Sequence, residues 1–571
     1  MRLSDYIVEF LIEKGVTDCF TVVGSHTAPI NNSFGSHDGI KCTRMHHEQS
    51  AAMAAESYAR YSGRPAAVCL DPGPGGTNAI TGVLGGFLDS LPMFVVSSQV
   101  PYDTTVRYEA GLSGDSESIP YVDALYGKRE INLPRAIGEL EYDITQIADH
   151  FCKYAVMIEE PSGIRYHLEK AWHLMTTGRP GPVWIDVPEN FQETEVDPDS
   201  QRNYEPENET ISSAMAAAMV RETLSQLREA EHPVIYAGGG VRISGAFDAF
   251  RQLVDKLGVP VCTYWNSIDL MEDTHPLYCG RAGTNGNDAG NQAIQNADLV
   301  LVLGSHLFLS QVGHEFRDWA PAARVIMVDI DESEMDKHTL HVNRKIRCDA
   351  KVFIELMLEE LSYLEGSFDL GNYLSPAEDW RQQCIKWKEA GLEGAQKQPE
   401  PGENPVRVCC FIRALSRELS ENSITAVGNG DCNIACQQGY VIKKGSRFII
   451  NNGVGGKGYG LPAAIGLSIA SGGAEAICIE SGSSLMMNLQ ELQTIITNKL
   501  PVRIFLTGTT ESATGSGVGD ISFPSYRKLA EAFGYRYLSI TTGKELSSGI
   551  RQALETPAPL ICEVVTATDR V

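Results

Sequence analysis

Several residues in this sequence are of types that can do chemistry, and they stand beside glycine-rich or apolar runs. Lys457 interrupts the glycine-rich segment 453–460 (GVGGKGYG). Glu48 follows His46 and His47 at the start of an alanine-rich stretch. Two turns after apolar runs are rich in hydroxyl groups, which come from Ser481, Ser483 and Ser484 in the first turn and from Thr507, Thr509 and Thr510 in the second. This set of groups would suit lyase or aldol-type chemistry on a 2-keto acid or a sugar-like carbonyl compound.

The two charged candidates each have a catalytic and a structural interpretation. Lys457 could anchor a carboxylate or phosphate by its charge, or form a Schiff base with a carbonyl if it is desolvated. The structural alternative is a salt bridge to a nearby carboxylate. Glu48 could act as a general base, or it could be a helix N-terminal charge that the helix dipole stabilises. We predict Glu48, Lys457 and His47 as the catalytic residues.

The elements that position these residues alternate between apolar strands and helices. Residues 474–479 (AEAICI) and 502–506 predict two buried parallel strands, and residues 485–498 between them have a helical pattern. Since the carboxyl ends of parallel strands open on one edge of a sheet, ligands normally bind there. The turns after these two strands should therefore meet, which brings together Gly482, Ser483, Ser484, Gly508 and Thr509.

The N-terminal part of the chain shows the same alternation. Strand patterns at 19–23, 65–70 and 92–99 alternate with helical patterns, which predicts a parallel, doubly wound sheet. His26 follows the first of these strands and Gln99 ends the third. We predict both as substrate contacts.

Length and composition predict three domains. A chain of 571 residues is long enough for about three. We place a first domain at 1–190, a middle domain at 213–365 and a third at 404–571. Acidic or Pro-rich linkers at 191–212 and 366–403 separate them. The predicted fold class is α/β, with three doubly wound parallel-sheet domains.

Several motifs together resemble the thiamine diphosphate (ThDP) enzymes, and specifically the acetolactate-synthase-like branch. The motifs are HEQ at 47–49 with the following SAAMAAESYAR, GPGGTN at 73–78, LDSLP at 88–92, GRPGPV at 178–183 and MNLQELQT at 487–494. The resemblance implies that Glu48 hydrogen-bonds the cofactor aminopyrimidine, that Gly430 lies near the diphosphate, and that the middle domain binds FAD in some members. It also implies a site shared between subunits, hence a homodimer or homotetramer.

Three cofactor-binding elements depart from the pattern that the resemblance implies. Gly482 stands where the family has the Asp that binds Mg²⁺, and Gly508-Thr509 replace an Asn-Asn pair. Lys457 replaces the apolar residue that supports the bent cofactor. A hard cation needs anionic or amide oxygens, so we predict that the chain binds neither ThDP nor a metal; FAD is left open. The segment 102–143 also differs from the one that shapes the keto-acid pocket.

Three functions follow from these observations. The first is an enzyme of this fold that has lost ThDP and Mg²⁺ and acts on a carbonyl substrate by lyase or aldol-type chemistry. The second is a working ThDP-dependent carboligase or decarboxylase that uses pyruvate-like donors. The third is a non-catalytic partner subunit.

The composition indicates which classes of partner and which cellular compartment suit this protein. The net charge of −26 argues against nucleic acid or an anionic membrane surface as the main partner. The 14 cysteines are scattered, several within apolar runs, which fits buried thiols in a reducing cytoplasm. No signal peptide or membrane-spanning run is recognisable. We predict a cytoplasmic enzyme with a small-molecule carbonyl substrate.

Overall fold

Three six-stranded sheets with interleaved helices make up the fold, as the sequence predicts. The computed structural model describes residues 1–112, 133–206, 213–365, 378–396, 406–508 and 522–567. Every strand pair whose register is described within the three sheets is parallel. The predicted α/β fold class is confirmed.

The first sheet has the strand order β2-β1-β3-β4-β6-β5. Its strands are β1 Asp18–Thr21, β2 Lys41–Arg44, β3 Ala66–Leu70, β4 Met93–Gln99, β5 Tyr154–Met157 and β6 Val183–Pro188. Its helices are Leu3–Glu13, Ala28–Ser36, Glu48–Ser62, Pro74–Leu88, Val106–Leu112, Thr145–Ala148, Ile164–Thr176 and Glu189–Gln192. All residues of β3, β4 and β6 are buried, as expected for central strands covered on both faces.

The second sheet has the order β12-β11-β10-β7-β8-β9. Its strands are β7 Pro233–Ala237, β8 Val261–Thr263, β9 Tyr278–Arg281, β10 Leu299–Leu303, β11 Arg324–Asp329 and β12 Arg344–Arg347. Its helices are Ser213–Glu229, Gly240–Ile243, Phe247–Leu257, Asp288–Gln295, Leu309–Val312, Glu332–Met335, Ala350–Glu365 and Glu378–Gln396. Two apolar clusters pack on its two faces, which is the layering of a doubly wound sheet.

The third sheet has the order β15-β14-β16-β17-β19-β18. Its strands are β14 Ile424–Val427, β15 Arg447–Ile450, β16 Ala476–Ser481, β17 Val502–Thr507, β18 Arg536–Ile540 and β19 Leu560–Val564. A separate two-stranded parallel sheet pairs β13 Val406–Arg407 with β20 Thr566–Ala567. The helices in this part of the sequence are Val408–Glu418, Asp431–Gly439, Gly460–Ala470, Gly482–Leu485, Glu491–Thr497, Tyr526–Phe533 and Leu546–Glu555. Short 3₁₀ helices lie at Tyr102–Thr104, Pro161–Gly163, Pro198–Ser200, Trp265–Leu270, Phe316–Asp318 and Gly543–Glu545.

The chain divides into two compact units, each of which combines segments that are separated in the sequence. The first contains residues 1–207, 451–474 and 485–502; the second contains 208–450, 475–484 and 503–571. Within the first unit, helix Gly460–Ala470 packs against helix Glu48–Ser62, and Ser57 Oγ donates to Ala463 O at 3.1 Å. A Cβ on Gly466 would lie 2.1 Å from Ala54 O, so this close approach requires glycine.

The single helix predicted at 485–498 is wrong. The chain forms the short helix Gly482–Leu485, then turns, and the helix Glu491–Thr497 follows. Met486, one of the apolar residues of the predicted helical pattern, is 39% exposed. Asn488 lies in the turn, and its Nδ2 donates to Gly458 O at 2.9 Å. This tertiary hydrogen bond stabilises the turn between the two helices. Local helical periodicity does not predict such a turn, because the bonding partner is distant in the sequence.

In the described part of the chain, none of the helices combines the length and the apolar character needed to cross a membrane.

Candidate functional site

The carboxyl edge of the third sheet brings the predicted ligand-binding turns together. The strand order reverses between β14 and β16, and the crevice at such a point is where open α/β sheets bind ligands. A Cβ on Gly430 would lie 2.8 Å from Ser481 Oγ, and a Cβ on Gly482 would lie 3.3 Å from Gly508 O. The turns after β16 and β17 therefore meet as predicted, and the turn after β14 joins them.

The serines of the turn after β16 are linked to one another. Ser481 Oγ lies 3.4 Å from Ser483 Oγ and accepts from Ser484 N at 3.3 Å. Ser483 is exposed, whereas Ser481 and Ser484 are buried. Thr509 was predicted in the same group, but it lies outside the described residues. The hydroxyl that this turn presents to solvent is that of Ser483.

Two buried hydroxyls at this edge lack a partner. Tyr526 and Thr507 are 2% and 1% exposed, and neither hydroxyl makes a hydrogen bond to any residue that the structure describes. Tyr526 Oη lies over Gly482, 2.6 Å from the position of a Cβ there. Burial raises the pKa of Tyr526, so its hydroxyl keeps its proton. Burying such a group unpaired is costly, so the two hydroxyls point to a ligand at this edge.

Of these two residues, sequence reasoning found only one. Thr507 belongs to a hydroxyl-rich turn that the sequence singles out. Tyr526 begins a helix after the 509–521 segment, and nothing in its local sequence signals a site. Only the approach of helix Tyr526–Phe533 to Gly482 reveals it.

Glu48 lies in the first compact unit at the start of helix Glu48–Ser62. Its Oε2 accepts a hydrogen bond from Asn78 Nδ2 at 3.0 Å. His47 is the N-cap residue of this helix, because its Nδ1 accepts from Gln49 N at 3.1 Å. The backbone N–H of His46 donates to Glu491 Oε1 at 3.2 Å. These contacts fix the turn that presents the Glu48 carboxylate.

Glu491 is a residue whose role sequence reasoning missed. It belongs to the MNLQEL segment, is buried, and also accepts from Thr494 Oγ1 at 2.6 Å. Burial raises the pKa of its carboxyl group, and the hydrogen bonds oppose that shift. Since it bonds the backbone of His46, Glu491 positions the residues immediately before Glu48.

Lys457 is exposed and forms no ion pair with a residue in the described ranges. The glycine-rich loop that carries it is held by two contacts directly after Lys457. Asn488 bonds Gly458 O, and Tyr459 Oη donates to Glu56 Oε2 at 2.5 Å. The ammonium group is thus presented to solvent from a fixed backbone.

A buried ion cluster holds this loop in place. Arg60 bonds both Glu56 and Asp89, with Arg60 Nη2 2.6 Å from Asp89 Oδ2. Asp89 accepts from the backbone N–H groups of Asn452 and Gly453 at 3.0 and 3.2 Å. Burial raises the pKa of Glu56, and the charge of Arg60 opposes that shift. The Arg60 side chain thus pairs with two buried carboxylates that anchor the loop. The sequence alone does not reveal this arrangement.

The two predicted substrate contacts differ in accessibility. His26 is partly exposed, and its Nδ1 lies 2.7 Å from Glu189 Oε2. Gln99 is 1% exposed, and its Nε2 donates to Asp186 Oδ2 at 3.0 Å and to Tyr142 O at 2.9 Å. Gln99 is therefore engaged inside the protein, where it supports a buried carboxyl group.

Asp186 is fully buried in strand β6. It accepts from Ser97 Oγ at 2.5 Å as well as from Gln99. Burial raises the pKa of Asp186 to about 8, against the lowering effect of these hydrogen bonds. A carboxyl group with this pKa is protonated over much of the neutral pH range. The apolar pattern of a buried strand does not predict such a protonated aspartate.

Among the residues that the structure describes, no three His, Cys, Asp or Glu side chains are grouped so that they could hold a metal ion. At the edge of the third sheet, position 482 is glycine and offers no side-chain oxygen.

Comparison with known proteins gives a consistent result along the chain. Residues 1–119 match the thiamine pyrophosphate enzyme N-terminal TPP-binding domain, 220–357 the central domain, and 428–564 the C-terminal TPP-binding domain. The chain is 28% identical to the probable acetolactate synthase 2, chloroplastic, of Oryza sativa, covering 98% of this chain and 82% of the relative. It is also 28% identical to the probable acetolactate synthase large subunit of Methanocaldococcus jannaschii, covering 99% and 92%.

The prediction that the chain binds no cofactor is wrong. Two of the matched domains are TPP-binding domains, and relatives named acetolactate synthase match nearly the whole chain, which points to ThDP with Mg²⁺. The prediction gave decisive weight to three changed cofactor-binding elements, which are Gly482, Gly508-Thr509 and Lys457. A diphosphate can also be held by hydroxyl and backbone N–H donors, and the unpaired hydroxyls at the third sheet are donors of this kind.

Proposed function

The chain belongs to the thiamine pyrophosphate (ThDP) enzyme family, in its acetolactate-synthase-like branch, and from this premise we propose that it is a ThDP-dependent carboligase acting on a pyruvate-like 2-keto acid. The observation that carries the proposal is the match of both TPP-binding domains together with relatives named acetolactate synthase along 98–100% of this chain. The lyase or aldol-type reaction without cofactor is not supported by these matches.

The residues at the third sheet fit the diphosphate of ThDP. The unpaired hydroxyls of Tyr526 and Thr507 are donors suited to anionic oxygens, and Ser483 adds an exposed hydroxyl. The metal fits less well, since Gly482 supplies no oxygen ligand, and we derive no step from it. When bound, ThDP supplies a nucleophilic carbon and an electron sink for decarboxylation of the keto acid.

The other roles belong to residues of the first compact unit. Glu48 would exchange a proton with the pyrimidine of the cofactor, and Asn78 orients its carboxylate. Lys457 would attract the substrate carboxylate, because its ammonium group is exposed and carries no ion pair to a described residue. His47 supports Glu48 by capping its helix. His26 would contact the substrate, and Gln99 would support that region from within.

We further propose a homodimer or homotetramer in the cytoplasm. Relatives named as acetolactate synthase large subunits support assembly with further subunits. The net charge of −26 gives no support to nucleic acid as a partner.

Calorimetric titration of the purified chain with ThDP and Mg²⁺, followed by assay of pyruvate consumption, tests the proposal. We expect saturable ThDP binding and ThDP-dependent turnover. Glu48→Gln should lower kcat by about 10²–10⁴-fold, the range for general acid–base catalysis, while the Kd for ThDP changes little. Glu13→Gln, an exposed glutamate at the end of the first helix, is the matched control. ThDP binding without turnover of any 2-keto acid would instead favour a non-catalytic partner subunit.

A further inference from the structure

We propose that the hydroxyl of Tyr526 takes over the position of the missing metal-ligating carboxylate, and that this hydroxyl and that of Thr507 donate hydrogen bonds directly to the cofactor diphosphate. This inference rests on the proposed function, because it assigns residues to the same cofactor. It concerns this chain's own side chains, neither of which belongs to the motifs that relate it to the ThDP enzymes.

The first step of the argument is steric. A Cβ at position 482 would lie 2.6 Å from Tyr526 Oη and 3.2 Å from Tyr526 Cζ. An aspartate there would need the tyrosine to move, because real Cβ atoms do not approach other heavy atoms so closely. Gly482 and Tyr526 are therefore complementary, and the tyrosine hydroxyl occupies the space into which a side chain at 482 would project.

The second step concerns which donors are free. The N–H of Gly508 donates to Thr566 Oγ1 at 2.9 Å, and that of Ser484 donates to Ser481 Oγ at 3.3 Å. Ser481 N donates to Glu480 Oε1 at 3.2 Å. These backbone donors are thus already engaged, whereas the buried hydroxyls of Tyr526 and Thr507 bond nothing in the described part of the chain.

The third step concerns charge. A protonated hydroxyl donates to an anionic oxygen, and such charge-assisted bonds are about twice as strong as neutral ones. Burial raises the pKa of Tyr526, so its hydroxyl stays protonated and remains a donor. The hydroxyl is also a poor ligand for a hard cation. The exchange of a carboxylate for two hydroxyls thus shifts recognition from the metal towards the diphosphate itself.

The test compares ThDP binding and stability of the apoprotein in Tyr526→Phe and Thr507→Val. Each change removes a hydroxyl that has no partner among the described residues, so the melting temperature of the apoprotein should stay unchanged or rise. The Kd for ThDP, measured by calorimetry at saturating Mg²⁺, should rise at least about tenfold. That is about 1.4 kcal/mol, the low end for a hydrogen bond to a charged group.

Tyr440→Phe is the matched control. Tyr440 is equally buried in the same unit, but its Oη lies 2.7 Å from Thr425 Oγ1. Its loss should lower the melting temperature and leave the Kd for ThDP unchanged. The opposite pattern in Tyr526→Phe, a lowered melting temperature with wild-type ThDP affinity, would overturn the inference.

A second variant tests the steric step. In Gly482→Ala the new methyl group would displace the Tyr526 hydroxyl, so this variant should weaken ThDP binding about as much as Tyr526→Phe. The double variant should be no weaker than either single variant, because both remove one interaction. Additive losses of ThDP affinity in the double variant would mean that the two residues act independently, and would contradict the proposal. If the wild-type protein itself fails to bind ThDP, the proposed function falls, and this inference falls with it.

Discussion

Replacing Arg60 with methionine removes the only cation that the described contacts give to the buried carboxylates of Glu56 and Asp89. Glu56 is fully buried and Asp89 is 2% exposed, while the Arg60 side chain is 11% exposed. Methionine keeps much of the length of the side chain but leaves two buried carboxylates with no counter-charge from residue 60. Loss of one partner from a buried ion pair costs about 3–5 kcal/mol. We expect a loss of this size at pH 8.

The size of the loss should depend on pH. The charge of Arg60 lowers the pKa of Glu56 against the raising effect of burial, so in the variant this pKa rises further above its unfolded value. The folded variant then holds a proton that the unfolded chain has released. Its stability is therefore highest at low pH and falls as the pH rises. The destabilisation relative to wild type should be clearly smaller at pH 5.5 than at pH 8.

Urea unfolding followed by intrinsic fluorescence at both pH values measures this effect. The control is Arg344→Met, which breaks a surface pair with Glu222 at 2.8 Å and should cost no more than about 1 kcal/mol. A loss below about 1 kcal/mol at pH 8, or equal losses at the two pH values, would refute the reasoning. Because Asp89 also bonds the loop before Lys457, turnover should fall as well.

Two further predictions concern the first compact unit. Asp186 has a pKa of about 8 when folded, against 3.8 as its ordinary value, so wild-type stability should fall between pH 6 and 8 by up to about 1.4 kcal/mol per pH unit from this group. Asp186→Asn should lack that slope, and the same pH dependence of urea unfolding in both proteins would contradict the assignment. Asn488→Ala removes the bond to Gly458 O and should cost about 1–3 kcal/mol and reduce turnover. Asn498→Ala, which loses a bond to Thr494 O in the helix that it directly follows, is the control and should leave turnover intact.

Much of the fold and part of the candidate site could be predicted because the signals are local. Apolar runs such as 474–479 and 502–506 predict buried strands wherever they occur, since burial on both faces requires them. The turn after each strand then lies at a known edge of the sheet. Gly482 and Gly508 were placed together in this way, and Gly430 by the resemblance; the structure brings their turns together. By contrast, the prediction that changes in three cofactor-binding elements mean loss of the cofactor was wrong, because binding depends on the whole set of donors.

The sequence by itself determined the three parallel sheets, the edge of the third sheet at which the turns after β16 and β17 meet, and the family of the chain. Tertiary structure alone decided that Tyr526 lies over Gly482, that Glu491 supports the turn before Glu48, and that Arg60 serves two carboxylates. It also decided that residues 451–474 and 485–502 pack with the N-terminal part of the chain. Periodicity and turn chemistry act between residues a few positions apart. Hydrogen-bond satisfaction, burial and steric complementarity depend on atoms that lie tens to hundreds of residues apart in the chain, so no local pattern specifies them.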